Sequence, residues 1–250
     1  MSQNGEKKGC PAAQLTVFAL VVGISCIICT LIFTSAFVKV RSNSAITVTG
    51  SAEKVLKSDL IVWDGSFSRR SATLAEAYAA MKKDLEDVKA FLKEKGVPEE
   101  EITVMPINMN TFYAADKSGM QTSQITGYGL MQTVQVKSKR VDEIGSVSRE
   151  SSELINRGIE FQSSPPQYFY TKLSSLKIGM LAEATKNARE RAERIASQGG
   201  GRLGPLRSSK MGVFQITPVY STEVSDYGIL DTSSLDKKIT AVVNTEFAIK

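Results

Sequence analysis

The chain has 250 residues, with 31 Lys and Arg against 26 Asp and Glu, and it contains no histidine. The lack of histidine excludes Ser-His-Asp hydrolysis, imidazole proton shuttling and most zinc or copper sites. A net charge of +5 spread over mixed acidic and basic residues, with 7% aromatic residues, excludes the dense basic, base-stacking surface of a nucleic-acid binder.

The first element is the uncharged run LTVFALVVGISCIICTLIFTSAFV, Leu15 to Val38. As a helix it would be about 36 Å long, enough to cross a hydrocarbon core of about 30 Å with some tilt. A secretory signal is the competing reading, with Lys7 and Lys8 as its basic end and Thr34-Ser35-Ala36 as a loose cleavage site. The run exceeds the roughly 7–15 apolar residues of such a signal, which favours an uncleaved anchor. Lys7 and Lys8 before it and Lys39 and Arg41 after it nearly balance, so charge alone sets no orientation. Ala19 and Gly23, and Ser25 and Cys29, are small pairs that allow close helix approach, although small residues are common in membrane helices. Cys10, Cys26 and Cys29 all lie in the tail or this run, so the chain beyond Lys39 has no thiol chemistry and no disulfide.

After a short tether, Ile46 to Gly50 alternates as a strand, and Asp59 to Ser68 forms a second with Ile61, Trp63 and Phe67 on one face. Trp63 reads as core rather than as a ligand platform. Thr73 to Lys95 is the clearest helix. Thr73 and Glu76 have capping-box spacing, and Leu74, Tyr78, Met81, Leu85, Val88 and Leu92 form an apolar stripe. Gly96 stands at its left-handed C-terminal cap, with Pro98 beyond. Lys82, Lys83, Asp84, Glu86, Asp87 and Lys89 are expected on a solvated face. Ile102 to Tyr113 reads as one strand, Ala114 to Gln124 as a hairpin loop around Gly119, and Ile125 to Lys139 as the return strand. Gly127 and Gly129 share one face of that strand, leaving either a groove for another backbone or a bulge.

Val141 to Arg157 reads as a shorter helix stopped by Gly158, followed by a strand from Ile159 to Phe161 that Pro165-Pro166 breaks. The Tyr168-Phe169-Tyr170 cluster precedes a long helix over Leu173 to Ser197. Its inner face is Leu173, Leu176, Met180, Leu181, Ala184, Ala188, Ala192 and Ile195. The alanines permit close packing on a sheet or on another subunit. Gly199-Gly200-Gly201 follows the helix and so is no phosphate cradle, which would have to precede one. Val213 to Tyr220 and Ile239 to Ile249 are the last strands, joined by a polar connection, Ser221 to Lys238, long enough to be mobile or an assembly contact.

Four ordered stretches resemble the SIMPL-domain family of bacterial envelope proteins: ITVTGSAEK from Ile46 ahead of DLIVWDGSF; AEAYAAMKKDLEDVKAFLKEKGV from Ala75 followed by Ile102-Thr103-Val104; ITGYGLMQTVQV from Ile125; and EATKNARERAERIASQGGGRLG from Glu183. The resemblance implies an exported α+β domain with antiparallel strands and three main helices, here preceded by one transmembrane helix. The expected organisation is a tail at 1–14, an anchor at 15–38, a tether at 39–44 and the SIMPL-like domain at 45–250. It also implies a place outside the cytoplasmic membrane, with the N-terminal tail inside. Some members are similar to subunits of ring-like assemblies, and some are associated with oxidative-stress defence. The family brings no catalytic residues that carry over to this chain.

The leading expectation is therefore a non-enzymatic, single-pass envelope protein that forms a homo-oligomeric ring or scaffold. Exposed strand edges, the alanine face around Ala188 and the Ser221–Lys238 connection are its expected seams. The alternative is a monomeric extracytoplasmic module that binds a small molecule or another envelope protein, suggested by the Tyr168–Tyr170 cluster and the Gly127/Gly129 face. A carboxylate-based hydrolase is a distant third. No catalytic, cofactor-binding or metal residue is assigned, and no cofactor is expected. Membrane lipid around residues 15–38 and further copies of the chain are the expected partners, other envelope proteins are possible ones, and nucleic acid is not expected.

Overall fold

A computed structural model of the protein describes residues 11–41 and 44–250. Glu6, Lys7, Lys8 and Cys10 of the tail, and residues 42–43 of the tether, lie outside the described residues. The elements begin with helix α1 (Pro11–Arg41), strands β1 (Ala45–Lys57) and β2 (Leu60–Ser71), and helix α2 (Leu74–Glu94). Then come β3 (Ile102–Val104), β4 (Asn108–Ala115), β5 (Gln121–Ser138), α3 (Val141–Glu150), α4 (Glu153–Asn156), β6 (Glu160–Ser163) and β7 (Gln167–Phe169). The long α5 (Leu173–Gln198) precedes β8 (Leu203–Met211), β9 (Gln215–Pro218), β10 (Ile229–Leu230) and β11 (Asp236–Ile249).

In α1 the apolar run forms a continuous helix that extends past both ends of the run. Its segment Thr16–Ser35 has a mean hydropathy of 2.7, and none of it is buried. The hydroxyls fold back on the helix: Thr30 donates to the Cys26 carbonyl at 2.7 Å, Thr34 to Thr30 at 2.6 Å and Ser35 to Ile32 at 2.8 Å. Each leaves its donor satisfied without water, as a helix in hydrocarbon requires.

The chain divides into two compact units. The larger comprises residues 51–186 and 211–243 and is built on a six-stranded sheet. Its axis is the antiparallel pair β2–β5, in register from Ile61 opposite Ser138 to Ser71 opposite Tyr128. β3 and β4 lie end to end along the free side of β5, and β6 and β7 along the free side of β2. Period-two alternation sends Ile61, Trp63 and Phe67 of β2 and Leu130, Val134 and Val136 of β5 to one face. Met81, Val88, Phe91 and Leu92 of α2 and Ile144 of α3 cover that face and close the core. Leu60 and Val62 on the opposite face are half-buried. Trp63 is fully buried as expected, its indole N–H donating to the Ser163 hydroxyl at 2.9 Å.

The caps of α2 follow the sequence: the Thr73 hydroxyl accepts from the Glu76 amide at 3.3 Å, and Gly96 has φ +78°. Its buried stripe differs from the expected one. It runs through Ala77, Met81, Asp84, Val88 and Phe91/Leu92, whereas Leu74 and Tyr78 stand exposed. The expected single strand from Ile102 to Tyr113 is two, interrupted at Met105-Pro106, where proline has no amide to donate to the ladder. The expected helix from Val141 to Arg157 likewise breaks after Glu150 into α3 and α4. At that break the buried Ser151 hydroxyl donates to the Ser148 carbonyl at 2.7 Å, diverting a helical acceptor. The hairpin loop is shorter than expected, because β4 and β5 continue to Ala115 and Gln121.

Of the described residues, the smaller unit comprises 11–41, 44–50, 187–210 and 244–250. Within it the start of β1 pairs with the end of β11: the Ile249 amide donates to the Ser44 carbonyl at 3.0 Å. Helix α5 buries Met180, Ala184, Ala188, Ala192 and Ala196 at steps of four, while Ile195, expected inward, is 55% exposed. In this unit the first residues of β1 and most of β8 lie on the end of β11, and in the larger unit the first residues of β11 pair with β9, which pairs with β10. β11 and β9 are antiparallel, whereas the short β10 runs parallel to β9, an exception to the antiparallel pattern. β8 and β10 were not expected from the sequence; β8 is almost wholly exposed and carries Pro205, so it shows no alternation.

Candidate functional site

A buried ion pair lies between α2 and β2. Asp84, expected on a solvated face, has only 3% of its side chain exposed and accepts from both Nε and Nη2 of Arg69, the latter at 2.7 Å. Arg69 Nη2 also donates to the Gly158 carbonyl at 2.9 Å, which ties the α4–β6 turn to the sheet. The Asp84 hydrogen bond raises the Arg69 guanidinium above its ordinary value against the opposing effect of burial. Spacing carried the signal for Asp84, since it stands three residues after Met81 and four before Val88 on one helical face. Asp84 is buried and Arg69 is held by it and by the Gly158 carbonyl, so the pair serves as a clamp between α2, β2 and the α4–β6 turn.

The second charged cluster surrounds the start of α3. A cleft of about 280 Å³ is lined by Lys57, Ser58, Lys139, Arg140, Asp142 and Glu143. Lys57 binds Asp142 at 2.6 Å, which holds its ammonium above the ordinary value. Arg140 donates to Glu101 at 2.9 Å and to Glu143 and the Gly96 carbonyl at 3.0 Å. The Ser58 hydroxyl is buried with no hydrogen-bond partner among the described residues, although its amide donates to the Leu235 carbonyl at 2.9 Å. Nothing in the linear sequence marked Ser58, because the groups around it come from three separate stretches.

The Ser221–Lys238 connection is more ordered than expected. Leu235 packs on the core, Tyr168 donates its amide to the Thr232 carbonyl at 2.7 Å, and Lys237, 2% exposed, donates to the Asp231 carbonyl at 2.7 Å and its carboxylate at 3.2 Å. Burial would push the Asp231 carboxyl up, but hydrogen bonds from Ser233, Ser234 and Lys237 hold it well below the usual carboxylate range. The inner part of the connection, from Asp231 to Lys237, is thus built into the packed unit. Its outer part differs: Tyr220, Val224 and Tyr227 are 96%, 80% and 97% exposed.

The features suggested for ligand binding are used internally. Tyr168 and Phe169 of the aromatic cluster lie on β7, paired with Ile61 and Leu60 of β2. A Cβ on Gly127 would meet the Ser71 carbonyl oxygen at 2.9 Å, and one on Gly129 would meet the Phe112 ring at 2.7 Å. The ladder also shifts register between Phe112 and Tyr113, so a close backbone approach and a bulge are both present. The Arg70 guanidinium stacks 3.9 Å above the Phe112 ring, closing the glycine face. Ala188 is fully buried, so it is no exposed seam.

A further open groove lies in the smaller unit. It holds about 460 Å³, has mostly apolar walls, and is lined by Thr47, Val48 and Thr49 of β1 and Arg191, Arg194 and Ile195 of α5. Arg191 Nη1 donates to the Thr49 carbonyl at 3.1 Å. Among the described residues, no three or more acidic or cysteine side chains gather as a metal ion would need.

Residues 46–247 match the model of the SIMPL family, described as a protein of unknown function (DUF541). The chain is 27% identical over 139 residues to the uncharacterized protein YggE of Edwardsiella ictaluri, covering 54% of each. It is 26% identical over 116 residues to a 26 kDa periplasmic immunogenic protein of Brucella melitensis, covering 45% of this chain and 46% of that one. The chain thus spans about half the length of the curated relatives it matches. The family match extends from the first strand after the apolar helix almost to the last residue of β11, taking in both sheets and the helices between them. This chain belongs to the SIMPL family.

Proposed function

We propose that the chain is a non-enzymatic, single-pass protein of the cell envelope, anchored in the inner membrane by Thr16–Ser35, with its SIMPL domain on the extracytoplasmic side. The observation that carries this reading is the apolar helix itself, twenty residues of mean hydropathy 2.7, none of them buried. A core helix of a soluble fold would be mostly covered; this one has the length and surface of a membrane span. The periplasmic name of the Brucella relative supports the same compartment. The domain acts as a self-assembling scaffold, and β1 supports that role because, among the described residues, it stands last in its strand order, where an open edge invites pairing. A link to stress defence rests on the resemblance alone.

Extraction of membranes at alkaline pH tests the anchor, together with the intact mass of the mature protein. A chain retained in the membrane at its full uncleaved mass is expected; release, or a mass lacking the first 36 residues or so, overturns the anchor. Particle mass in mild detergent tests the scaffold, for which a discrete multiple of the chain mass is expected. A second reading, a monomeric binding module, is favoured by the cleft around the unpaired Ser58 hydroxyl. A monomer that retains a small molecule in native mass spectrometry would establish it instead.

A further inference from the structure

Two surfaces of this chain are complementary to each other. The first is the groove between β1 and α5. β1 stands at the end of its sheet order. The Ser44 carbonyl accepts from Ile249, and the Val48 carbonyl accepts from the Thr245 hydroxyl at 3.4 Å, so alternate residues of β1 face β11. Antiparallel alternation then turns the main chain of Thr47 and Thr49 toward the open edge. Arg191 already reaches the Thr49 carbonyl there, and Arg194 and the exposed Ile195 complete the wall. The groove therefore offers an apolar floor, two guanidinium groups and an open strand edge.

The second surface is the tip of the β9–β10 connection. Tyr220, Val224 and Tyr227 project into solvent, interleaved with the exposed carboxylates Glu223 and Asp226. The tip is held on a fixed base. The buried Gln215 side chain donates to the Ser225 carbonyl at 2.6 Å and accepts from its amide at 3.4 Å. Such preorganisation lowers the entropy lost on docking.

We propose that the Tyr220–Tyr227 tip of one copy seats in the β1–α5 groove of a second copy of this chain. Val224 packs on Ile195, and Glu223 and Asp226 face Arg191 and Arg194. Opposite charges select this partner: the tip carries two acidic groups and no basic one, and the α5 wall of the groove presents two arginines. The two patches differ, so the contact is head-to-tail and propagates into a ring or a filament. This seam rests on the self-assembly proposed above and assigns its surfaces.

The test uses the full-length chain in mild detergent, with particle mass followed over a dilution series. Arg194→Glu and Asp226→Arg are each expected to weaken self-association at least about tenfold, by setting like charges together. The chain carrying both changes should recover association, because the pair is restored with its signs exchanged. Both residues are exposed, so unchanged thermal melts separate lost assembly from lost fold. A wild-type chain that stays monomeric overturns the self-assembly reading itself. A wild-type assembly whose mass is untouched by either reversal overturns this seam while leaving assembly standing. Reversals that weaken association without recovery in the double variant overturn the direct pairing of tip and groove.

Discussion

The Arg69–Asp84 pair predicts an asymmetric response to removing either partner. Asp84 keeps 3% of its side-chain surface and Arg69 33%. With Arg69→Met the Asp84 carboxylate is left buried without its cation, a change that costs about 3–5 kcal/mol. With Asp84→Leu the guanidinium keeps its bond to the Gly158 carbonyl and turns its exposed third to water, so the cost falls to about 1–2 kcal/mol. The double variant replaces both charges with apolar groups and should lie within about 1 kcal/mol of the wild type. Urea denaturation of the four proteins closes the cycle. At a slope of about 2 kcal/mol per molar urea, Arg69→Met should lower the midpoint by about 2 M. Equal costs for the two single variants, or a double variant as unstable as their sum, would refute the reasoning.

Three further outcomes follow from the same geometry. The Asp231 carboxyl is held below its unfolded value, so its contribution is complete above about pH 4 and is lost as pH falls through the lowered folded value. Asp231→Asn should therefore flatten the acid limb of a stability–pH profile measured by urea melts; an unchanged slope would place the acid sensitivity elsewhere. Gly129→Ala should displace the Phe112 ring and its Arg70 stack at a cost of about 1–3 kcal/mol, whereas Gly23→Ala, with open space around it, should leave thermal stability unchanged. Ala188→Glu should destabilise the domain by at least about 3 kcal/mol through an unpaired buried charge, read as early proteolysis and a lower melting temperature. A normally folded Ala188→Glu chain would mean that α5 is less closely covered than described.

The elements legible in the sequence were those whose pattern is local. Helix α2 announced itself through Thr73 and Gly96, the core strands β2, β5 and β11 through alternation, and α1 through length alone. The misses have different physical causes. Asp84 looked like one charge among six until Arg69, fifteen residues earlier, was placed against it. Lys237 fell within the polar Ser221–Lys238 connection, although it stands two residues before the buried Ile239 and so shares its inward face. β8 is exposed along almost its whole length, leaving no hydrophobic period to read. The β1–α5 groove was invisible for another reason: Ile195 was counted into the core, and only the helix's actual rotation turns it outward.

The pairing of β1 with β11 has a consequence for how the molecule is made. Val48 and Thr245 are 197 residues apart, yet they are joined in one ladder. Closing that loop costs about 3 kcal/mol more entropy than closing a hairpin of about ten residues. It also cannot happen until residues 244–250 have been synthesised. Until then the first strand after the apolar helix lacks its β11 partner. The ladder bonds of β1 to β11 thus form only after a long-range closure, which makes them the contacts of this chain with the highest entropic cost of formation among those described.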